Sequence, residues 1–528
     1  MSTQRIPGPT ERIVIVGAGL SGLTAGLYLR AAGHQVTIIE RDGHAGGLVR
    51  TEQLTAADGT THRFDTGATI LTMPELILDA LGAVGVDRVR ATARLDLRRV
   101  DPSYAMRFAD GSALDVRADR AALVKEVDVR FGAEQARGVA ELATWLDRLY
   151  DVEYDAFIDR NFDGLTDFVG PELRGPVTQL VRLGTIRGLT GAIARFVSDD
   201  RLQRAFTFQA LYAGVPPQRA AAIYAIIAQM DIGRGVSYPV GGMGRVGEVL
   251  AQAFRDAGGV IDFGTRATAL RHVGSRVEVV HGVDSDGASI DYPADAVIAA
   301  VGVPVIESLL AAGSSGGGRG TRRRRRSVRY SPSAVVAHGI VPTSATRSWP
   351  GDHHSIDFGQ AWKSTFRQIS PGRRRRGELM SDPSLLLTRP AISDPENFCR
   401  NGFESVSVLA PCPNLDTAPF DWAPLARPYV AECLAVLEQR GYCGITDMEV
   451  LRVDDPSSWA AAGYGAGTPF SAAHTVAQTG PFRTPNRWPG VENLIVAGAA
   501  TTPGVGIPPV LISGRLAADR ITPTGARR

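Results

Sequence analysis

Three glycines, Gly17, Gly19 and Gly22, and a carboxylate at Glu40 are the residues of this chain best suited to hold a dinucleotide. In a G-x-G-x-x-G turn the first glycine permits the tight bend and the second lets backbone approach a pyrophosphate. The third lets a helix pack closely on a sheet. Glu40, about 20 residues further on, can accept hydrogen bonds from ribose hydroxyls and repel a 2′-phosphate, which favours FAD or NAD over NADP. The elements that must aim these groups flank them. Ile13 to Val16 is the continuous apolar run of a parallel strand buried on both faces. Leu20, Leu23 and Leu27 continue at helical spacing, so the free amides of the first turn point at the phosphates. Gly33 can end that helix, and Val36 to Ile39 make a second buried strand.

Two further glycine turns bear on the same chemistry. After Glu40, Gly46 and Gly47 can bring backbone close to a cofactor, and Arg50 can meet a phosphate charge. Near the other end, Asn493 to Ala497 reads as a short buried strand running into GAATTPGVGIPPVLISGRLAADRI, where Pro508 and Pro509 suit a helix start. The positive end of that helix, aimed at the pyrimidine side of a flavin, would raise its electron affinity. Gly242, Gly244 and Gly247 also spell G-x-G-x-x-G, with Asp262 downstream, but Pro239 falls in the would-be central strand, where its missing amide is not tolerated. A second nucleotide site is therefore not expected there.

Composition narrows the classes. The chain has 528 residues, 44% of them hydrophobic, enough for a large core in two or three domains. A formal net charge of +2 argues against a dedicated nucleic-acid binder. Cys399, Cys412, Cys433 and Cys443 lack C-x-x-C spacing and read as free thiols. His353 and His354 are adjacent, so on a strand they would face opposite sides and could not share a metal. No metal site, serine elbow or cysteine nucleophile is expected. MSTQRIPGPTER has no apolar core, and no apolar run reaches a membrane-spanning length. A cytoplasmic protein, attached to membranes at most peripherally, is expected. Arginine-rich runs at 314–326 and 372–377 read as solvated loops, with attraction to anionic lipid headgroups as the alternative.

The motifs predict an α/β fold, and their resemblance to a flavoprotein family implies a discontinuous, Rossmann-like FAD-binding domain from residues 1–95, 235–305 and 484–528, with an inserted α+β substrate domain from 96–234 and 306–483. Within the insert, FVSDDRLQRAFTFQALYAG and RAAAIYAIIAQMDI read as helical, AVVAHGIV and SVSVLAPC as strands, and Tyr429 to Arg440 as a helix.

GAGLSGL, Glu40-Arg41-Asp-Gly-His-Ala-Gly-Gly and FDTGATIL together resemble the FAD-dependent amine oxidase and phytoene desaturase superfamily. VAGAATTPGVGIPPVLISGRLAA is similar to the final flavin-binding motif of bacterial, CrtI-type phytoene desaturases, and segments such as RYSPSAVVAHGI and GTPFSAAHTVAQTGPFRTPNR extend the resemblance over nearly the whole chain. One departure is Leu48, which stands where the superfamily commonly has an arginine or lysine. The resemblance implies FAD held by Gly17, Gly19, Leu20, Ser21, Gly22, Glu40, Arg41, Gly46, Gly47 and Arg50, with Gly498, Val505, Gly506 and Ile507 along the isoalloxazine. It implies stepwise dehydrogenation of phytoene, a C40 polyene hydrocarbon, to lycopene, with oxygen or a membrane quinone reoxidising the flavin.

Such a substrate offers no polar handle, so an apolar tunnel must bind it; Phe206, Phe208, Leu211 and Tyr212 are expected to line or border it. Hydride transfer from an allylic carbon to the flavin would leave a cation that loses a proton. By family position Asp200 is the candidate base, oriented by Arg204 one helical turn on; a helix-start carboxylate is the rival reading of Asp199 and Asp200. The family places its arginine where Gln203 stands. A shorter-running desaturase, a carotenoid isomerase or a non-redox prenyl-binding escort would share much of this pattern; an amine oxidase would need a polar amine site.

Overall fold

The buried apolar runs at the two ends of the chain meet in one sheet. A computed structural model describes residues 4–164, 167, 170–314, 328–372 and 375–524. Its central sheet contains β1 (Arg12–Val16), β2 (Gln35–Glu40), β3 (Val260–Phe263), β4 (Ala296–Ala299) and β5 (Leu494–Val496), in the order β5-β4-β1-β2-β3. Every pairing is parallel, and β1, at the centre, faces Ala296 through Ala299 on one side and Gln35 through Ile39 on the other. All five strands fall within residues 1–95, 235–305 and 484–528.

Three helices cover one face: α1 (Leu20–Ala31), α2 (Gly244–Asp256) and α3 (Ile507–Asp519). α1 lies between the other two and is buried along most of its length. A three-stranded antiparallel sheet, Arg266–Val273, Arg276–Val283 and Ser289–Pro293, packs beside the same domain.

The inserted segments share a second, mixed sheet. Along it run Glu449–Asp454, Ser333–Pro342, Phe403–Cys412, Leu385–Thr388, His354–Phe358, Tyr104–Phe108 and Ala113–Val116. The pairing of His354–Phe358 with Tyr104–Phe108 is parallel and joins the two segments into one body. Leu97–Val100 pairs antiparallel with Val236–Pro239, between the strands of the central sheet and those of the second sheet in the chain order.

Several sequence expectations change. The helix expected at Tyr429 to Arg440 begins at Trp422, capped by Asp421, and runs through Pro428. Burial of Trp422, Ala426 and Tyr429 on one face outweighs the lost hydrogen bond. RAAAIYAIIAQMDI is no regular helix but a 3-10 turn at Ala222–Tyr224, one α turn at Ala225–Ala228 and a π turn at Gln229–Gly233. Most of this run is buried, so packing dictates its path. His353 and His354 do not face opposite sides: the strand starts at His354, and the two buried rings lie 4.4 Å apart. Among the described residues no cluster of three or more metal-ligating side chains occurs, and no helix is long and apolar enough to cross a membrane. The arginine runs at 314–326 and 372–377 lie wholly or partly outside the described residues.

Candidate functional site

The turn between β1 and α1 is shaped by close backbone contacts. A Cβ on Gly22 would lie 2.1 Å from the Gly17 carbonyl oxygen, so this position takes no larger residue. The Ala18 amide donates to Glu40 Oε2 at 2.7 Å and the Asp42 amide to Oε1 at 3.0 Å, fixing the carboxylate at the end of β2. The second glycine loop docks on the first: the Gly46 amide donates to the Ala18 carbonyl at 2.9 Å, and Gly47 approaches Gly19 so closely that a Cβ would sit 3.1 Å from its Cα. Leu20 and Ser21 open α1, whose N-terminus has no side-chain cap.

The C-terminal turn completes the cradle. Its Gly498 amide donates to Ser513 Oγ at 3.0 Å, and a Cβ on Gly498 would meet Ser21 Oγ. Val505, Gly506 and Ile507 lead into α3, again without a side-chain cap. The uncapped amides at the start of α1, the positive end of α3, a floor of bare backbone and a fixed carboxylate match a dinucleotide. FAD fits these residues.

Two cationic candidates are otherwise engaged. Arg50 pairs with Glu52 at 2.6 Å and with Asp42 at 3.4 Å, so a phosphate would compete with two carboxylates for it. Arg41 reaches outward to the Ala462 carbonyl at 3.0 Å. The second G-x-G-x-x-G is structural. Its would-be anion site is filled by Asp65 and Thr51: the Met243 amide donates to Asp65 Oδ1 at 2.8 Å and the Gly244 amide to Thr51 Oγ1 at 2.9 Å. Gly247 lets α2 close on Gly46.

Beyond the cradle an apolar cavity opens in the inserted domain, lined among others by Phe208, Leu211, Tyr212, Phe358, Trp362 and Phe470. Phe206, expected with them, is buried in the core instead. The stretch 468–472 divides this cavity from a second hollow bordered by Gly302, Tyr464, Ser471, Ala472 and Ala500. His474 then packs against the C-terminal turn, where a Cβ on Gly504 would lie 2.2 Å from its ring. Burial, with Arg483 nearby, holds His474 neutral. Arg483, its own pKa lowered to about 10 by burial, donates to the carbonyls of Thr501 at 2.8 Å and Ala499 at 2.7 Å and pins the turn.

Asp200 is not in the cavity. It starts a short surface helix, Asp200–Ala205, with its side chain 59% exposed and bound to Arg204 Nε at 2.7 Å. Arg204 in turn donates to the Gly359 carbonyl at 2.9 Å. Asp199 caps the helix, accepting from the Arg201 amide at 2.8 Å. Of the two readings of Asp200, candidate base and helix-start carboxylate, its exposure and its place at the start of this helix fit the second. Buried acids of the inserted segments lie elsewhere, Glu153 and Asp231 among them. Glu153 ends the long helix Ala133–Glu153 with an unpartnered Oε2, and Asp231 sits in the π turn, accepting from Tyr104 Oη at 2.9 Å. An acid inside the apolar run AIYAIIAQMDI was the signal for Asp231, read there only as part of a helix.

A parallel sheet bearing a dinucleotide cradle, beside an inserted domain with an apolar cavity, defines a flavin-dependent oxidoreductase. The chain belongs to the flavin containing amine oxidoreductase family, whose model matches residues 20–353 and 451–522. Within that family it is a member of the phytoene desaturase branch. It is 46% identical to the phytoene dehydrogenase of Streptomyces griseus over 521 residues, spanning 98% of this chain and 96% of that one. It is 30% identical to the zeta-carotene-forming phytoene desaturase of Myxococcus xanthus over 516 residues, 97% of this chain and 94% of the other. An oxidoreductase from Methanosarcina mazei shares the fold, with a TM-score of 0.60 at 15% identity over 95% of this chain and 98% of its own.

Proposed function

We propose that this chain dehydrogenates phytoene, with lycopene as the end product. The observation that carries this reading is the apolar cavity, which shares the stretches 330–333 and 468–472 with a second hollow that reaches Ala500 in the C-terminal turn. When bound, FAD supplies the hydride acceptor. The chain's own residues do the rest. Phe208, Phe358, Trp362 and Phe470 offer aromatic surface to a hydrocarbon and keep water from the reacting carbons. Gly46, Gly47, Gly498 and the starts of α1 and α3 hold the cofactor, and Arg483 keeps the turn against it rigid.

An apolar lining supports repeated dehydrogenation in the direction of lycopene. A hydrophobic pocket discriminates weakly between isosteric hydrocarbons, so partly dehydrogenated intermediates rebind and react again.

The substrate must arrive from a bilayer, and the helix Pro171–Leu183 with the turn after it suits that surface. Val177, Val181 and Ile186 are exposed beside the exposed Arg174, Arg182 and Arg187, an apolar ridge flanked by cations that complements an anionic bilayer. Oxygen or a quinone is the acceptor that restores the flavin.

Incubating the FAD-loaded protein with phytoene in liposomes and following polyene absorbance and chromatography tests this. Red-shifted products running to lycopene are expected. No red-shifted product with either acceptor overturns the proposal, and phytoene binding without flavin reduction favours the escort.

A further inference from the structure

The cavity is apolar except for three side chains, Tyr212, Ser333 and Ser384. Both serines are committed to backbone: Ser333 Oγ donates to the Gly467 carbonyl at 2.6 Å, and Ser384 Oγ accepts from the Gly359 amide at 3.1 Å. Tyr212 is different. Its hydroxyl lies close enough to that of Tyr104 for the two to perturb each other's ionisation, and Tyr104 Oη donates to Asp231 Oδ2 at 2.9 Å. The Phe208 ring wedges the chain in place, 5.3 Å from Tyr104 and 5.8 Å from Tyr212, edge-on to both. A line of hydrogen-bonding groups thus runs from the cavity wall to a buried carboxylate. That carboxylate occupies a π turn, a rare backbone form that recurs at functional sites.

We propose that Tyr212, Tyr104 and Asp231 are the proton exit of the dehydrogenation. This rests on the phytoene reading above. Once hydride has left one allylic carbon, the neighbouring carbon gives its proton to Tyr212 Oη, and the C–H bonding pair becomes the new π bond. Tyr212 passes its own hydroxyl proton to Tyr104 Oη, and Tyr104 passes its proton to the Asp231 carboxylate. Both tyrosines end the step neutral, the substrate loses its charge, and Asp231 ends as the carboxylic acid. Tyr212 is the catalytic residue; Tyr104 and Asp231 act through it.

Burial raises the Asp231 pKa to about 7, so the group can both take and release a proton near neutrality. The surrounding charges do not interfere. His354, 6.1 Å from the Tyr104 ring, is pushed down to about 4 by burial and stays neutral. Asp147, from the helix Ala133–Glu153, is bound to Gln229 and Arg120. Arg234 is held by Glu75 at 2.9 Å and by the Tyr150 ring.

The test is single-turnover desaturation by the FAD-loaded enzyme across pH, in wild type and in Tyr212→Phe, Tyr104→Phe, Asp231→Asn and Asp231→Glu, with bound FAD and bound phytoene measured in each. The wild-type rate should rise with pH through neutrality. Tyr212→Phe, Tyr104→Phe and Asp231→Asn should each slow it about 100-fold and abolish that rise while FAD and phytoene stay bound; Asp231→Glu should restore part of it. If Asp231→Asn fails to bind FAD, the two phenylalanine variants, which remove one oxygen each, decide the matter by the same readout. Wild-type rates and an unchanged pH profile in those two variants overturn the relay. A wild-type enzyme that makes no new polyene overturns the substrate reading itself, and the relay with it.

Discussion

Gly514 of α3 rests on the carbonyl of Ser21 in α1, so close that a Cβ would lie 2.3 Å from that oxygen. This contact brings the last motif of the chain onto the first, almost 500 residues apart in sequence. Gly514→Val should push α3 away from α1 and spread the cradle. We expect loss of bound flavin absorbance and destabilisation of about 1–3 kcal/mol in denaturant unfolding. Retention of stoichiometric FAD would show that the crossing is not what closes the site.

Glu40 holds two amides, those of Ala18 and Asp42, at the end of β2. Glu40→Gln keeps the shape but cannot accept at both positions with a charged group. A charge-assisted hydrogen bond contributes about 1.5–3 kcal/mol, so FAD should bind roughly 10- to 100-fold more weakly in a flavin fluorescence titration. Turnover at saturating FAD should change far less.

Asp200 offers a sharp negative prediction. Its side chain is exposed and its partner, Arg204, is anchored by the Gly359 carbonyl without it. Asp200→Asn should therefore keep desaturase turnover within about twofold, as expected for an exposed ion pair. A large loss of turnover with FAD still bound would restore Asp200 as the base.

Asp231 should also show in the pH dependence of stability. Its folded pKa, about 7, lies above the ordinary 3.8, so the folded state holds the proton more tightly. The stability it contributes is fully present below 3.8 and is lost as pH rises through about 7. His354, lowered from 6.5 to about 4, has the opposite sign over an overlapping range: its contribution is present above 6.5 and lost as pH falls through about 4. The two partly cancel in the wild type. Denaturant unfolding of Asp231→Asn against wild type isolates the first: the wild type's relative stability should fall between pH 4 and 7, and a flat difference would contradict the raised pKa.

The ridge of Val177, Val181 and Ile186 predicts a separable surface defect. Val181→Glu with Ile186→Glu should reduce flotation with anionic liposomes while leaving FAD content intact. Unchanged flotation would move the docking surface elsewhere.

The cofactor cradle was readable because its chemistry is local. Gly17, Gly19, Gly22 and Glu40 lie within one strand, one turn, one helix and the next strand, and the backbone geometry of that unit is set by the residues inside it. The C-terminal turn was legible for the same reason. The false triplet at Gly242 was also separable by a local fact, the proline in the preceding segment.

Other assignments depended on side-chain direction and on distant partners. Whether Asp200 faces a cavity or water, and whether Arg50 is free, are decided by Arg204, Asp42 and Glu52 in space. Sequence alone determined that this chain holds a dinucleotide, since glycine spacing and strand apolarity are properties of short segments, and its family resemblance implied that the dinucleotide is FAD. Only the tertiary structure decided where the proton-handling groups lie. Tyr104 comes from a strand and Tyr212 and Asp231 from turns more than 100 residues further along the chain, and a carboxylate's burial is set by everything packed around it.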